Sequence, residues 1–126
     1  MIFGVGIDLV ELSRIKKIFD RFGDHFAQKL LMAEELELFY KNKNPIRFLG
    51  MRFAAKEAIV KAMGTGFSKG IWIKDVGIKN LKSGKPITIF SDRGLKKLEK
   101  LDINDIQISL SDEAGLVMAF CIAIKN

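Results

Sequence analysis

The spacing of apolar residues changes once along this chain, and that change limits what it can fold into. From Ser13 to Met63 apolar residues recur every three or four positions, whereas beyond Gly64-Thr65-Gly66 they alternate. Helices therefore come first and a strand-rich part follows. Ahead of both, Ile2 to Val10 is apolar and β-prone with Gly4 and Gly6 interspersed, an opening strand that some neighbour approaches closely. Ser13 reads as the N-cap of a helix over Arg14 to Phe22, because Ile15, Ile18, Phe19 and Phe22 follow at helical spacing and Gly23 supplies a stop. Ala33 to Lys41 and Arg47 to Met63 read as two more helices, the second stopped by Gly64, with Asn42 to Pro45 joining them.

In the later part, Ile71 to Ile78, Pro86 to Phe90 and Ile106 to Leu110 read as strands, and Asp92 to Leu101 as a short basic-faced helix. Leu116 to Ile124, long and apolar, is expected to be the most buried strand. Because short turns join these strands, the spacing predicts an α+β fold, an antiparallel sheet packed against helices, and not a doubly wound parallel sheet. A length of 126 residues without repeats or a linker fits a single domain over 1–126.

Composition excludes several kinds of chemistry. The chain has one cysteine and one histidine, too few for the usual zinc ligand sets, for a disulfide within the chain or for a confident nucleophile-histidine relay. Cys121 lies in the apolar run Val117 to Ile124 and reads as core before reactive thiol; His25, in the polar stretch Gly23-Asp24-His25, reads as a solvated surface histidine. No apolar stretch is long enough to span a membrane and the N-terminus does not resemble a signal peptide, so a soluble cytoplasmic protein is expected. Lys and Arg number 21 against 15 Asp and Glu, a net charge of +6 that favours a polyanionic partner.

What remains is chemistry built from carboxylates, lysines, arginines and a hard metal ion. Ala54, Glu57, Ala58 and Lys61 fall at i, i+3, i+4 and i+7 on one helix face. Glu57 and Lys61 are either an exposed ion pair or, with alanines keeping the surface low, a carboxylate and an ammonium leaving room for a metal and a phosphate. Asp8 near the end of an apolar strand is costly to desolvate unless a cation compensates it, be it Lys61, an arginine or Mg²⁺. Mg²⁺ needs only one or two protein carboxylates when it also bridges substrate phosphates, so Asp8 and Glu57 would suffice. Glu11 is a third acid there, or serves the following helix N-terminus.

Gly64-Thr65-Gly66 is either a plain helix cap or a turn whose exposed N–H groups cradle phosphate oxygens. Gly4-Val5-Gly6 lacks the third glycine of a dinucleotide fingerprint, and no Walker loop is present. Arg14, Lys17 and Arg21 gather within a sector of roughly 60° on the first helix. They form a solvated face or, beside the apolar stripe, a surface for an acidic helical protein.

Gly4-Val5-Gly6-Ile7-Asp8-Leu9-Val10-Glu11, together with Arg52-Phe53-Ala54-Ala55-Lys56-Glu57-Ala58-Ile59-Val60-Lys61-Ala62-Met63-Gly64-Thr65-Gly66, closely resembles the holo-[acyl-carrier-protein] synthase family, the small bacterial class of phosphopantetheinyl transferases. The likeness takes in Ser83-Gly84-Lys85-Pro86 and the terminal strand as well. It implies a phosphopantetheinyl transferase-like fold with subunits forming a trimer. It also implies Mg²⁺-dependent transfer of 4′-phosphopantetheine from coenzyme A to a serine of apo acyl carrier protein, leaving adenosine 3′,5′-bisphosphate.

On that likeness Asp8 and Glu57 hold Mg²⁺, Lys61 neutralises the transferred phosphoryl group, and Glu57, directly or through a metal-held water, takes the serine proton. Arg52, Lys61, Gly64, Thr65, Gly66 and Pro86 contact coenzyme A; Arg14, Lys17 and Arg21 dock the acidic carrier. Asp112, in Ser109-Leu110-Ser111-Asp112, stands where many relatives carry histidine, so that histidine's nucleotide contact and any base role do not carry over. The rival reading is a small basic nucleic-acid-binding domain without catalysis. A pure binder has no need of a buried Asp8 or of a Glu57 amid cations.

Overall fold

Nineteen residues, Pro45–Met63, form the long helix around which the rest is arranged. The computed structural model describes residues 1–126. The elements run β1 (Ile2–Glu11), α1 (Leu12–Phe22), α2 (Asp24–Leu30), α3 (Ala33–Lys41), α4 (Pro45–Met63), a 3-10 turn (Ile73–Asp75), β2 (Val76–Asn80), β3 (Pro86–Phe90), α5 (Asp92–Lys100), β4 (Ile103–Glu113) and β5 (Leu116–Lys125). The expected α+β architecture holds: an antiparallel sheet in the order β1-β5-β4 lies against α4, and β2-β3 form a separate antiparallel hairpin.

The sheet side of α4 is built from small residues. Ala54, Ala55, Ala58 and Ala62 are buried; Gly4 and Gly6 on β1 lie against Ala62 and Ala58, and β5, whose Ala119, Cys121 and Ala123 are also buried, packs on the same helix. A Cβ on Gly4 would collide with the carbonyl of Ala62, and one on Gly6 with the carbonyl of Ala58. The two glycines therefore let strand and helix backbones touch, as the interspersed Gly4 and Gly6 lead one to expect. Burial pushes the Cys121 thiol up to about 12, which makes it a core residue.

Several boundaries differ from the sequence reading. Ser13 is not the cap of α1: the helix begins at Leu12, two residues before Arg14, Glu11 precedes it in extended conformation, and the Leu12 N–H donates to Gly115 O. Gly23, at φ 57, ends α1 and at once opens α2, a short helix whose polar stretch hides only Ala27 and Leu30. The alternation at 71–75 is not strand; the Asp75 carboxylate accepts the Trp72 N–H at 2.7 Å and folds these residues into the 3-10 turn. Asn44 caps α4 through the Arg47 N–H, which places Pro45 inside the first turn.

β5 is the central strand of its sheet, yet it is covered on one face only. Val117, Ala119, Cys121 and Ala123 are wholly buried, while Leu116, Met118 and Phe120 are exposed. Beside them stand the outward residues of β1, Val5, Ile7 and Leu9, at 55–59% exposure. The result is a bare apolar face on the far side of the sheet from α4.

Candidate active site

The close approach at Gly4 and Gly6 determines where the next inward residue of β1, Asp8, arrives. Two residues along the strand carry it past Ala58 to the part of α4 that bears Glu57 and Lys61. Lys61 Nζ donates to Ile7 O at 3.0 Å and to Asp8 Oδ1 at 3.2 Å. The Asp8 side chain is 16% exposed and that of Lys61 50%. Glu57 completes the group: burial first, then the charge of Asp8, push its carboxyl above the ordinary value, against the opposing pull of Lys61. Two acids that repel each other across one ammonium thus share a half-buried site, as the i, i+4 spacing and the isolated strand acid suggest.

This donor set fits a hard divalent cation that also binds phosphate. Two carboxylates against a single ammonium leave a net negative site for a cation, and no third acid, imidazole or thiol closes a full protein cage. Glu11 does not join them.

The first helix delivers one of its cations to the same place. Arg14 borders a cavity of about 110 Å³ together with Asp8, Ile15, Ile18 and Phe53. Lys17 and Arg21 lie exposed further along α1, the Arg21 guanidinium 5.1 Å from the Phe22 ring centre.

Arg52 and Pro86 sit elsewhere, in a larger cleft of about 690 Å³ shared with Lys41, Arg47 and Lys85. Arg52 is mostly buried: it lies 4.1 Å from the Phe48 ring centre, donates to Ile78 O at 3.3 Å, and its Nε is 3.6 Å from Glu35 Oε2. Burial lowers its basicity, with Glu35 opposing. At the rim Arg47 makes a two-pronged pair with Asp112, 2.9 and 3.0 Å, which holds the Asp112 carboxyl below the usual range. Residue 112 thus anchors an arginine beside the cleft.

Of the two readings of Gly64-Thr65-Gly66, plain helix cap or phosphate cradle, this arrangement shows the cap. Gly64 N–H donates to Lys61 O, and the N–H groups of Thr65 and Gly66 both donate to Val60 O, so all three are spent on closing the helix C-terminus. Gly64, at φ 77, is the left-handed cap residue, and the Thr65 hydroxyl is buried without a hydrogen-bond partner.

Sequence reasoning missed a buried charge cluster behind the site. Glu35 and Lys56, both fully buried, pair at 2.6 Å; Glu35 also accepts the N–H groups of Met32 and Ile78, and Lys56 donates to Ile73 O and Val76 O. These bonds tie α3, α4 and the β2 hairpin together. One signal was present: Lys56 falls among the apolar positions of α4, next to Ala55, where a lysine needs a partner.

The chain is similar to known proteins along nearly its whole length. Residues 4–121 match the family model described as the 4′-phosphopantetheinyl transferase superfamily. The holo-[acyl-carrier-protein] synthase of Blochmanniella floridana is 46% identical over 112 residues, covering 89% of this chain and 90% of the relative. The crystal structure of that enzyme from Neisseria meningitidis superimposes with a TM-score of 0.95 at 40% identity, over 99% of this chain and 100% of the other. The Helicobacter pylori holo-[acyl-carrier-protein] synthase in complex with coenzyme A gives 0.83 at 29% identity, over 95% and 99%. The rival reading of a nucleic-acid-binding domain gains no support from these likenesses. A matching family model over most of the chain, joined to relatives of this identity along nearly their whole length, places the chain in the 4′-phosphopantetheinyl transferase superfamily, among the holo-[acyl-carrier-protein] synthases.

Proposed function

We propose that the chain transfers the 4′-phosphopantetheine group of coenzyme A to a serine hydroxyl of apo acyl carrier protein, with Mg²⁺, and releases adenosine 3′,5′-bisphosphate. The observation that carries this reading is the meeting of Asp8, Glu57 and Lys61 at one half-buried place. Phosphoryl transfer asks for in-line positioning and charge neutralisation more than for covalent help from the protein.

Asp8 and Glu57 would hold the Mg²⁺, which would supply positive charge against the diphosphate. Lys61, already within reach of Asp8, supplies the second positive charge at the phosphoryl group. The serine oxygen forms the new bond to phosphorus as the bond to the adenosine bisphosphate oxygen breaks. Glu57, on the same face of α4 as Lys61, would accept the serine proton.

The basic cleft at Arg52 and Pro86 suits the nucleotide end of coenzyme A. Gly64, Thr65 and Gly66 then act by shaping the end of α4 behind Lys61, with the Thr65 hydroxyl the one free polar group there. Arg14 at the rim of the Asp8 cavity, with Lys17 and Arg21, docks the acidic carrier so that its serine faces the site. The bare apolar face of β1 and β5 supports a homotrimer, since a surface with Val5, Ile7, Leu9, Met118 and Phe120 exposed favours cover by further copies. A cytoplasmic location belongs to the same reading; no helix here is long and apolar enough to cross a membrane.

Incubating the protein with coenzyme A, Mg²⁺ and apo carrier should give a phosphopantetheine adduct on the carrier by mass spectrometry. Asp8→Ala and Glu57→Ala should each abolish it while keeping the wild-type circular dichroism spectrum. No adduct on any apo carrier from the same cell defeats the proposal, and wild-type turnover in either variant removes the metal assignment.

A further inference from the structure

A second strongly basic surface lies away from the Asp8 site and away from α1. Lys69, Arg93, Lys96, Lys97 and Lys100 line a cleft of about 580 Å³, with Glu99 the one acid among them. Arg93 is also a wall of a neighbouring cleft of about 570 Å³ that contains His25, Lys29, Lys74 and Trp72. The two clefts therefore adjoin across one arginine.

That arginine is held in place from below. Asp75, 4% exposed, accepts Arg93 Nε at 2.8 Å, the Trp72 N–H at 2.7 Å and the Ser91 hydroxyl at 2.7 Å. One buried carboxylate thus orients both the guanidinium and the backbone carrying the indole. Arg93 lies 5.7 Å from the Trp72 ring centre, and Trp72 is 62% exposed. A large bare aromatic beside an anchored arginine, with lysines on both sides, is a preassembled contact for a surface that is acidic and partly apolar.

We propose that the Trp72–Arg93 shelf and its lysine cleft form a second docking surface for the acidic carrier protein, supplementing α1. The inference rests on the transferase reading for the identity of the partner. Continuity supports it: α1 packs against α2, α2 against the 3-10 turn, and the turn against α5, so neighbouring elements carry cations from Arg14 to Lys100. Charge complementarity supports it too, because five cations against one acid attract carboxylates. A single-stranded nucleic acid fits less well, since it asks for successive stacking platforms and the two clefts present one tryptophan.

Trp72 is the only tryptophan of the chain and so reports on its own surface. Titrating apo carrier into the intact protein should change the Trp72 emission saturably, with the response fading as salt rises. Lys96→Glu/Lys97→Glu should weaken that response and raise the carrier KM about three- to ten-fold, with the KM for coenzyme A unchanged. Lys69→Glu, on the opposite wall, should act in the same direction with α5 itself untouched.

Emission that stays constant at carrier concentrations saturating turnover, or an unchanged carrier KM in both variants, overturns the proposal. So does an emission change produced by a single-stranded oligonucleotide and not by the carrier. If no adduct forms yet the carrier still moves Trp72 emission in a salt- and Lys96-dependent way, the docking surface stands and the transferase reading falls.

Discussion

Replacing Gly6 by alanine tests how the contact between β1 and α4 builds the site. The new Cβ would collide outright with the Ala58 carbonyl oxygen and stand 2.7 Å from the Ala62 amide nitrogen and 3.0 Å from the Ala58 carbonyl carbon, where ordinary contact begins at 3.4 Å. β1 must then retreat by about 1 Å or more at this point, because the obstacle is helix backbone and cannot rotate aside. Overpacking of this kind costs about 1–3 kcal/mol, and at about 4 °C per kcal/mol for a chain of this length the thermal midpoint should fall by roughly 4–12 °C. Asp8 lies two residues further along the same strand and shifts with it, away from Lys61 and Glu57. A misplacement approaching 1 Å at reacting groups can lower turnover by about 10²-fold.

The assay pairs thermal unfolding with carrier modification below the midpoint, so that lost stability and lost positioning are read separately. Ala58→Gly should not rescue the variant, since it trims a side chain and leaves the carbonyl in place. Wild-type stability and turnover in Gly6→Ala would refute the reasoning, and rescue by Ala58→Gly would show that a side chain and not the helix backbone was the obstacle.

Two further perturbations follow from the charges. Lys56→Met leaves the Glu35 carboxylate buried without its 2.6 Å partner and should destabilise the protein by about 3–5 kcal/mol in urea unfolding, partly recovered in Lys56→Met/Glu35→Gln; an unchanged midpoint would refute the buried pair. Because the Glu57 carboxyl is raised from 4.5 in the folded protein, its neutral form is favoured there. Its contribution to stability is complete below 4.5 and is lost as pH rises through the higher folded value. Glu57→Gln in metal-free buffer should remove that decline from a plot of thermal midpoint against pH, and curves that run parallel for the two proteins would count against it.

Much of the site is legible in the sequence because its parts follow local rules. Glu57 and Lys61 share a helix face by spacing alone, Asp8 is an acid where a strand should be apolar, and Gly4 and Gly6 announce a close neighbour. The bounds of α3 and β3 are read correctly from local patterning. What escapes is set by contacts between distant segments. Glu35 meets Lys56 across 21 positions, Arg47 meets Asp112 across 65, and neither distance leaves a periodic trace. The turn after Met63 looks like a phosphate cradle by composition, but which way its N–H groups point is decided by the helix carbonyls they satisfy. Residues 71–75 alternate like a strand, and one carboxylate bends them into a helical turn.

The uncovered side of the β1–β5 sheet also bears on biogenesis. In the homotrimer proposed above, a newly made subunit carries Ile7, Leu9, Met118 and Phe120 in contact with water until further copies cover them. Encounter frequency scales with copy number, and a scarce chain spends longer as a chaperone client than an abundant one. Dosage of this polypeptide should therefore set the usable fraction of what is synthesised as well as the total.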